Sequence, residues 1–385
     1  MRKQTYVIWL LAAALIMTLA GCGSNTTDQP PGYEINTGEE TLKAFFLDAG
    51  KADAALIRIP GGHWVMIDTG LNKGFGETGR QLVLNGVDEL SAVFLTHGHS
   101  DHIGGITNVL TIARCKKLYT NGDGMKENRV QQAADLTQLV QIKTGDVINI
   151  GEASFTVIGP VGSYSKENDN SLVIMLQYKD VKLLFAADQL SESENDILGL
   201  GDSLKADVLK VAHHGEDDSS SLEFIKAVSP RYAVIPTDLE NPPSKSVLSN
   251  IAAAGAKAFV LGETGTMVFE SDGKQSKISP LPAAEGAPAD IRVDAFSSSA
   301  EYVKIKNYSG ETVDLTGWHI YSDKGGQYYF FPKGTALSPG EGLTVYSADA
   351  AASRTDGLIW TTDKVWRKKD VCMLFDNWGR QVRPN

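Results

Sequence analysis

Ser91-Ala-Val-Phe-Leu-Thr96 runs straight into His97-Gly-His-Ser-Asp-His-Ile-Gly-Gly105, and the join between them is the most informative point in the chain. The first half is apolar, aromatic and β-branched, the composition of a short buried strand. The second half sets four metal-ligand side chains, His97, His99, Asp101 and His102, into six positions. The chain has seven histidines in 385 residues, so three in six positions is a concentration that composition does not produce. Imidazole with carboxylate suits zinc, and also iron or manganese. An ionised Asp101 accepts only, and can both ligate and orient a neighbour. A merely structural loop gains nothing from three adjacent imidazoles. A helix is expected to begin near Asp101, where a carboxylate also suits a helix N-terminus.

Working outward, Leu42–Asp48 and Ala54–Pro60 are apolar, and His63–Asp68 follows the Gly61-Gly62 turn, which predicts a hairpin over 54–68. Further strands are predicted at 155–159, 172–178, 182–187, 208–212, 232–236 and 258–261, with helices at about 129–140, 189–199, 220–228 and 245–254. Two β-rich halves with flanking helices predict an α/β domain over residues 40–280, a four-layer αββα sandwich. Residues 281–287 read as a small-residue linker. Beyond it, over 288–385, short strands recur between Gly, Pro and Asp turns, an all-β pattern.

The amino terminus reads as an export signal. Arg2 and Lys3 precede an apolar run, Tyr6 to Ala20, too short for a spanning helix. Leu19-Ala-Gly-Cys22 resembles a bacterial lipobox, which implies cleavage before Cys22, lipid on its thiol and anchoring to the outer face of the cell membrane. Residues 23–39, polar with Pro30 and Pro31, read as a flexible tether. Cys115 and Cys372 have no CxxC spacing and are expected to be buried free thiols. The formal net charge is −11. From Gly286 onward acidic and basic residues balance, so the excess lies in the first domain. That argues against a broad basic footprint for nucleic acid. It leaves room for a phosphodiester substrate, because divalent ions add local positive charge.

Six short segments in order now make a resemblance. Phe46–Ala55, Val65-Met-Ile-Asp-Thr-Gly70, His97–His102, Asn170-Ser-Leu-Val-Ile174, Leu183-Leu-Phe-Ala-Ala-Asp188 and Lys210-Val-Ala-His-His-Gly215 together resemble the metallo-β-lactamase superfamily, in particular its ComEC-like competence-protein group, over about residues 41–275. The resemblance implies two divalent ions, zinc first and manganese as the alternative. His97 and His99 would hold one, Asp101 and His102 the other, and Asp188 would bridge both. One of His213 and His214 would complete the first site, with His213 preferred, since neighbours on a strand face opposite ways. Asp68 would hold a ligand from behind by hydrogen bonds; Asp48, Asp53 and Asn170 are weaker candidates for such roles. Asp188 and Asp101 would be catalytic, Asp101 orienting or deprotonating a bridging water. The chain departs from the pattern at Asn241-Pro-Pro-Ser244, where relatives often supply a last histidine. With Pro242 there, the second ion would be short of a ligand, with solvent, Asp238 or Glu240 filling in.

Glu301-Tyr-Val-Lys-Ile-Lys-Asn307, Leu315-Thr-Gly-Trp318 and Phe331-Pro-Lys-Gly334 resemble a lamin-tail domain, an immunoglobulin-like sandwich. Trp318 and His319 are expected in its core. Lys364, Arg367, Lys368 and Lys369 are a basic cluster for which DNA or cell-wall contact is the functional option and a solvated face the ordinary one. The combined expectation is an envelope-anchored metallohydrolase using a metal-bridged hydroxide on a phosphodiester, either extracellular DNA or an envelope polymer such as teichoic acid. The alternatives are β-lactam or ester hydrolysis, and a metal-holding adhesion protein without turnover.

Overall fold

Strand Ala92–Leu95 is buried at every position and runs parallel between His63–Thr69 and Lys117–Thr120. A continuous apolar run of this kind belongs to a strand covered on both faces. The computed structural model describes residues 40–382 apart from 283, 352 and 353, so the leader, Cys22 and the 23–39 segment lie outside the described residues. Among the described residues, an eight-stranded sheet runs, in spatial order, Ser276–Pro280, Met267–Ser271, Leu42–Phe46, Ala54–Ile59, His63–Thr69, Ala92–Leu95, Lys117–Thr120, Gln138–Gln141. A seven-stranded sheet runs Lys257–Val260, Tyr232–Ile235, Val208–Lys210, Val181–Phe185, Val173–Tyr178, Ala153–Gly159, Val147–Ile150.

The two sheets face each other across an apolar core that includes Phe46, Ile57, Phe94, Phe155 and Phe185. Phe94 stacks on both Tyr119 and Phe155, with ring centroids 5.0 Å apart in each pair. The outer face of the first sheet packs on helix α1 (Phe75–Leu84), on α3 (Ile106–Ile112), which follows the short α2 (Ser100–Ile103), and on Asn128–Ala133. The outer face of the second packs on Ser191–Ile197, Leu222–Val228 and Lys245–Ala253. The architecture is the expected αββα sandwich. Strand ends at one edge of it carry the histidines and carboxylates.

Two helices differ from expectation, and the strands Lys117–Thr120, Val147–Ile150, Met267–Ser271 and Ser276–Pro280 were not predicted. The helix predicted over 129–140 stops at Ala133, and Gln138–Gln141 instead extends the first sheet by pairing with Lys117–Thr120. Tertiary pairing overrides helical propensity there. α1 was not predicted, because Gly76 and Gly79 depress helix propensity by about 1 kcal/mol each. It forms by burying Phe75 and Leu82.

The carboxy-terminal part is a β-sandwich. Four strands, Ile291–Ser297, Tyr302–Asn307, Gly342–Ser347 and Leu358–Thr361, make one sheet, and Gln327–Phe330, His319–Ser322 and Cys372–Phe375 another. Trp318, Ile320, Phe331 and Trp366 fill its core, as expected for Trp318. Cys115 and Cys372 are free thiols, the second only half-buried. The expected linker is tied down on both sides. Leu281 packs on the first sheet's outer cluster and donates its N–H to the Thr266 carbonyl, and Arg380 Nη1 donates to the Gly286 carbonyl at 2.6 Å. Both parts belong to one compact unit. Among the described residues no helix is long and apolar enough to cross a membrane.

Candidate metal centre

The site is assembled by strands that end abruptly. Asp68, Ala187, His213 and His214 all have positive φ, between 46° and 56°. Backbone in this region costs non-glycine residues energy and is concentrated at functional sites. Here it turns Asp68 and Asp188 inward at the ends of strands His63–Thr69 and Val181–Phe185, and swings His214 inward just after Val208–Lys210. The His97 turn leaves Ala92–Leu95 and enters α2, so that Asp101 and His102 sit in its single turn. Gly98 lets the two rim glutamates come close: a Cβ there would lie 2.7 Å from Glu167 Oε1 and 2.9 Å from Glu127 Cγ, and both side chains would have to shift.

Three imidazoles converge on Asp188 Oδ2, with Nε2 of His102 at 3.2 Å, His214 at 3.6 Å and His97 at 4.0 Å. Each is held from behind through Nδ1. His102 Nδ1 lies 2.8 Å from Asp68 Oδ2, His214 Nδ1 2.8 Å from the Pro236 carbonyl, and His97 Nδ1 3.2 Å from Thr96 Oγ1. Asp68 also accepts from the Thr96 N–H and hydroxyl, both at 2.8 Å, so one carboxylate fixes the turn and its histidine together. Anchoring at Nδ1 leaves Nε2 as the free nitrogen, the arrangement that metal-binding histidines adopt. His99 is more open, with Nε2 3.4 Å from Glu167 Oε2. Asp101 reaches His214 Nε2 at 3.1 Å.

The donor set fits divalent cations. His97 Nε2, His102 Nε2, Asp188 Oδ1 and Asp53 Oδ1 are buried with no hydrogen-bond partner, and such atoms are costly unless something else satisfies them. Asp53, Asp68 and Asp188 are all buried, and the ammonium they share the space with is Lys210, which bonds to Asp53 and to the Ala187 carbonyl. Buried carboxylates in that excess call for further positive charge. Two donor groups with atoms within 4.8 Å of one another meet at Asp188: His97, His99 and Asp188, and Asp53, His102, Asp188 and His214.

The protonation equilibria reflect the same crowding. Burial alone would raise the Asp188 pKa, but His102 and His214 hold it well below the ordinary carboxylate range. Burial opposes charging His102, yet Asp188, Asp68 and Asp53 push its pKa well above the usual histidine value. His97, with burial and the neighbouring His102 both against charge, is pushed well down. Burial raises Asp53, with Lys210 pulling the other way.

Several sequence expectations need correction. His214, not the preferred His213, faces Asp188. The pair sits on a left-handed turn rather than on a strand, so strand alternation does not apply. His213 points to the rim, with Nδ1 2.8 Å from Asp218 Oδ1 and Nε2 3.2 Å from Asn168 Nδ2. His214 joins the Asp101–His102 side, so the loss of histidine at Pro242 leaves that side with two imidazoles. Asp238 does not fill in; it caps its own turn by accepting from Asn241. Glu240 is exposed. Asp48 is also outside the cluster, half-buried beside Thr266, and burial raises its pKa to about 6. Asn170 supports the rim instead of a ligand: its side chain bonds to Tyr164 and Lys166 and so shapes the loop that carries Glu167 and Asn168.

Lys210 and Glu167 were not singled out from the sequence, and Asp53 only weakly. Lys210 had a visible signal, a lone charge inside the apolar run Val208–Ala212. Glu167 had none, since its position depends on how a loop folds back across 69 residues of sequence to Gly98.

The sequence profile of the metallo-β-lactamase superfamily matches residues 47–237, and that of the lamin tail domain matches 284–383. ComE operon protein 3 of Bacillus subtilis (strain 168) is 28% identical over 210 residues, covering 52% of this chain and 27% of that protein. Competence protein ComA of Neisseria gonorrhoeae is 29% identical over 234 residues, covering 58% of this chain and 31% of that protein. The chain thus spans less than a third of these relatives. The metallo-β-lactamase fold protein YhfI of Bacillus subtilis superposes with a TM-score of 0.43 at 15% identity, covering 60% of this chain and 99% of that one. With the profile match, the motif order and the site in agreement, the first domain of this chain belongs to the metallo-β-lactamase superfamily of hydrolases, in its ComEC-like branch, and the second is a lamin tail domain.

Proposed function

We propose that the protein is an exported, lipid-anchored phosphodiesterase that works with two divalent ions, zinc or manganese. The observation that carries this reading is the convergence of three Nδ1-anchored histidines on Asp188 Oδ2. Bound there, divalent ions would lower the pKa of water and neutralise charge growing on phosphoryl oxygens. His97, His99 and Asp188 would hold one ion; His102, His214 and Asp188 would hold the other, with Asp53 or Asp101 as its further carboxylate. Asp68 and Thr96 keep the His102 and His97 rings in register, and the Pro236 carbonyl does so for His214. Asp101, partly open to solvent and held ionised against burial by its bond to His214, can accept a hydrogen bond from the attacking water. A nucleic-acid phosphodiester is the substrate we favour, a choice supported by relatives that are named for competence.

The rim favours a second reading, a phosphodiester within an envelope polymer that carries positive charge. Glu127, Glu167, Glu216 and Asp218 gather around Gly98 and His213, and the nearby Lys51 ammonium is already paired with Glu216. Such a rim repels a bare polyanion and tolerates a zwitterion. Hydrolysis of bis(p-nitrophenyl) phosphate, single-stranded DNA, a choline phosphodiester and nitrocefin, each with added zinc and then manganese, separates the readings. Turnover of phosphodiesters without nitrocefin is expected. Turnover of nitrocefin alone would overturn both phosphodiesterase readings.

A further inference from the structure

The loop behind the metal centre touches two things at once. On its inner side, residues 68–72 hold the histidine turn. Asp68 bonds to His102, Thr69 Oγ1 donates to the His102 carbonyl at 2.9 Å, and the Gly70 carbonyl accepts from the Gly105 N–H at 2.9 Å. On its outer side, residues 72–80 are gripped by the lamin tail domain. Asn72 Nδ2 donates to the Gly326 carbonyl at 3.0 Å, the Tyr328 hydroxyl donates to the Lys73 carbonyl, and Arg80 Nη1 donates to the Asn377 carbonyl at 3.0 Å.

Packing follows the same line. Phe75, fully buried, meets Tyr328 and Phe330 edge-on, at ring-centroid distances of 5.8 and 6.1 Å. α1 is so close to Phe330 that a Cβ on Gly79 would lie 2.2 Å from its Cζ. The two sides meet in one side chain. Asn72 Oδ1 accepts from Asn108 Nδ2 of α3 at 2.7 Å, while its Nδ2 bonds across to Gly326.

We infer that the lamin tail domain positions the metal-binding turn: through Asn72 and Tyr328 it clamps the 68–75 segment, and that segment sets His102. A domain hung on a free linker would have left α1 with an exposed apolar face. Instead that face is covered by residues of the same chain, and the path from Tyr328 through Lys73 and Asp68 to His102 is made of direct bonds and a few backbone steps. Asn72 and Tyr328 act here as positioning residues. The inference rests on the metal-site reading for its consequence, and on the contacts alone for its mechanics.

The test uses the full chain. Phe330→Ala opens a cavity and can unfold the protein, so the decisive variants break hydrogen bonds while keeping side-chain volume. Asn72→Asp keeps the acceptor for Asn108 and loses the donor to Gly326, and Tyr328→Phe keeps the ring and loses the hydroxyl. Tyr308→Phe, which gives up a bond to Asp294 within the lamin tail domain, is the control. Two quantities are read: zinc affinity by competition with a chromophoric chelator, and amide hydrogen exchange of residues 100–105 in the metal-free protein. The Asn72→Asp/Tyr328→Phe double variant is expected to bind zinc about 3- to 10-fold more weakly, a smaller loss than the roughly 10- to 100-fold for removing a group bonded directly to a ligand, and to exchange the 100–105 amides faster, while Tyr308→Phe changes neither. Affinity within twofold of the parent together with unchanged exchange would overturn the inference. If the parent binds no zinc, the metal-site reading fails on its own, and the exchange comparison still decides whether the clamp exists.

Discussion

Asp188 Oδ2 is the atom on which the two donor groups converge, and the residues around it divide into those that would touch an ion and those that aim them. Asp68 is of the second kind. Asp68→Ala frees the His102 ring and strands the buried Thr96 N–H, so zinc affinity measured by chelator competition should fall by about 10- to 100-fold. His213 and His214 give a sharper contrast, because they are adjacent in sequence and face different surroundings. Elemental analysis should find His214→Ala reduced toward about one ion per chain and His213→Ala unchanged. The opposite pattern would restore His213 as the ligand. The cluster His97–His102 was legible at this scale because ligands crowded into one turn leave a local mark. The choice between His213 and His214 was not, because it depends on two left-handed residues that no local pattern announces.

At the scale of elements, the strands that lead into the site and the helices over the second sheet read well, while α1 and the outer strands of both sheets did not. Strand Ala92–Leu95 and its neighbours are buried on both faces, and continuous apolar runs say as much in sequence. α1 was hidden because its glycines serve the approach of Phe330 and His319 rather than helix formation, a requirement set by residues some 240 positions away. The core between the sheets should behave as ordinary close packing. Phe94→Ala, which removes a ring stacked on both Tyr119 and Phe155, should cost about 3–5 kcal/mol in urea unfolding. A loss below about 1 kcal/mol would mean that the sheets do not meet there.

For the whole molecule, the lamin tail domain and the hydrolase domain share one folded unit, and His319 reports on their contact. Burial pushes its pKa down to about 3, from an ordinary 6.5, and its Nε2 lies 3.1 Å from where a Cβ on Gly76 would be. A group kept neutral in the fold stabilises fully above its unfolded pKa. As pH falls from 6.5 toward 3 the unfolded chain gains the proton first, and stability drops by about 1.4 kcal/mol per unit. Asp48, whose raised pKa works in the opposite sense, makes the difference between proteins the useful quantity. Relative to His319→Leu, the parent should lose roughly 2 kcal/mol more between pH 6.5 and pH 5 in chemical unfolding. Equal losses would place His319 in contact with water. The claim on which the functional reading stands is that two ions share Asp188. Metal content per chain of the purified protein and of Asp188→Ala, after loading with zinc and removal of excess, tests it most directly. About two ions in the parent and nearly none in the variant is the expected result; about one in the parent, or retention of two without Asp188, would contradict it.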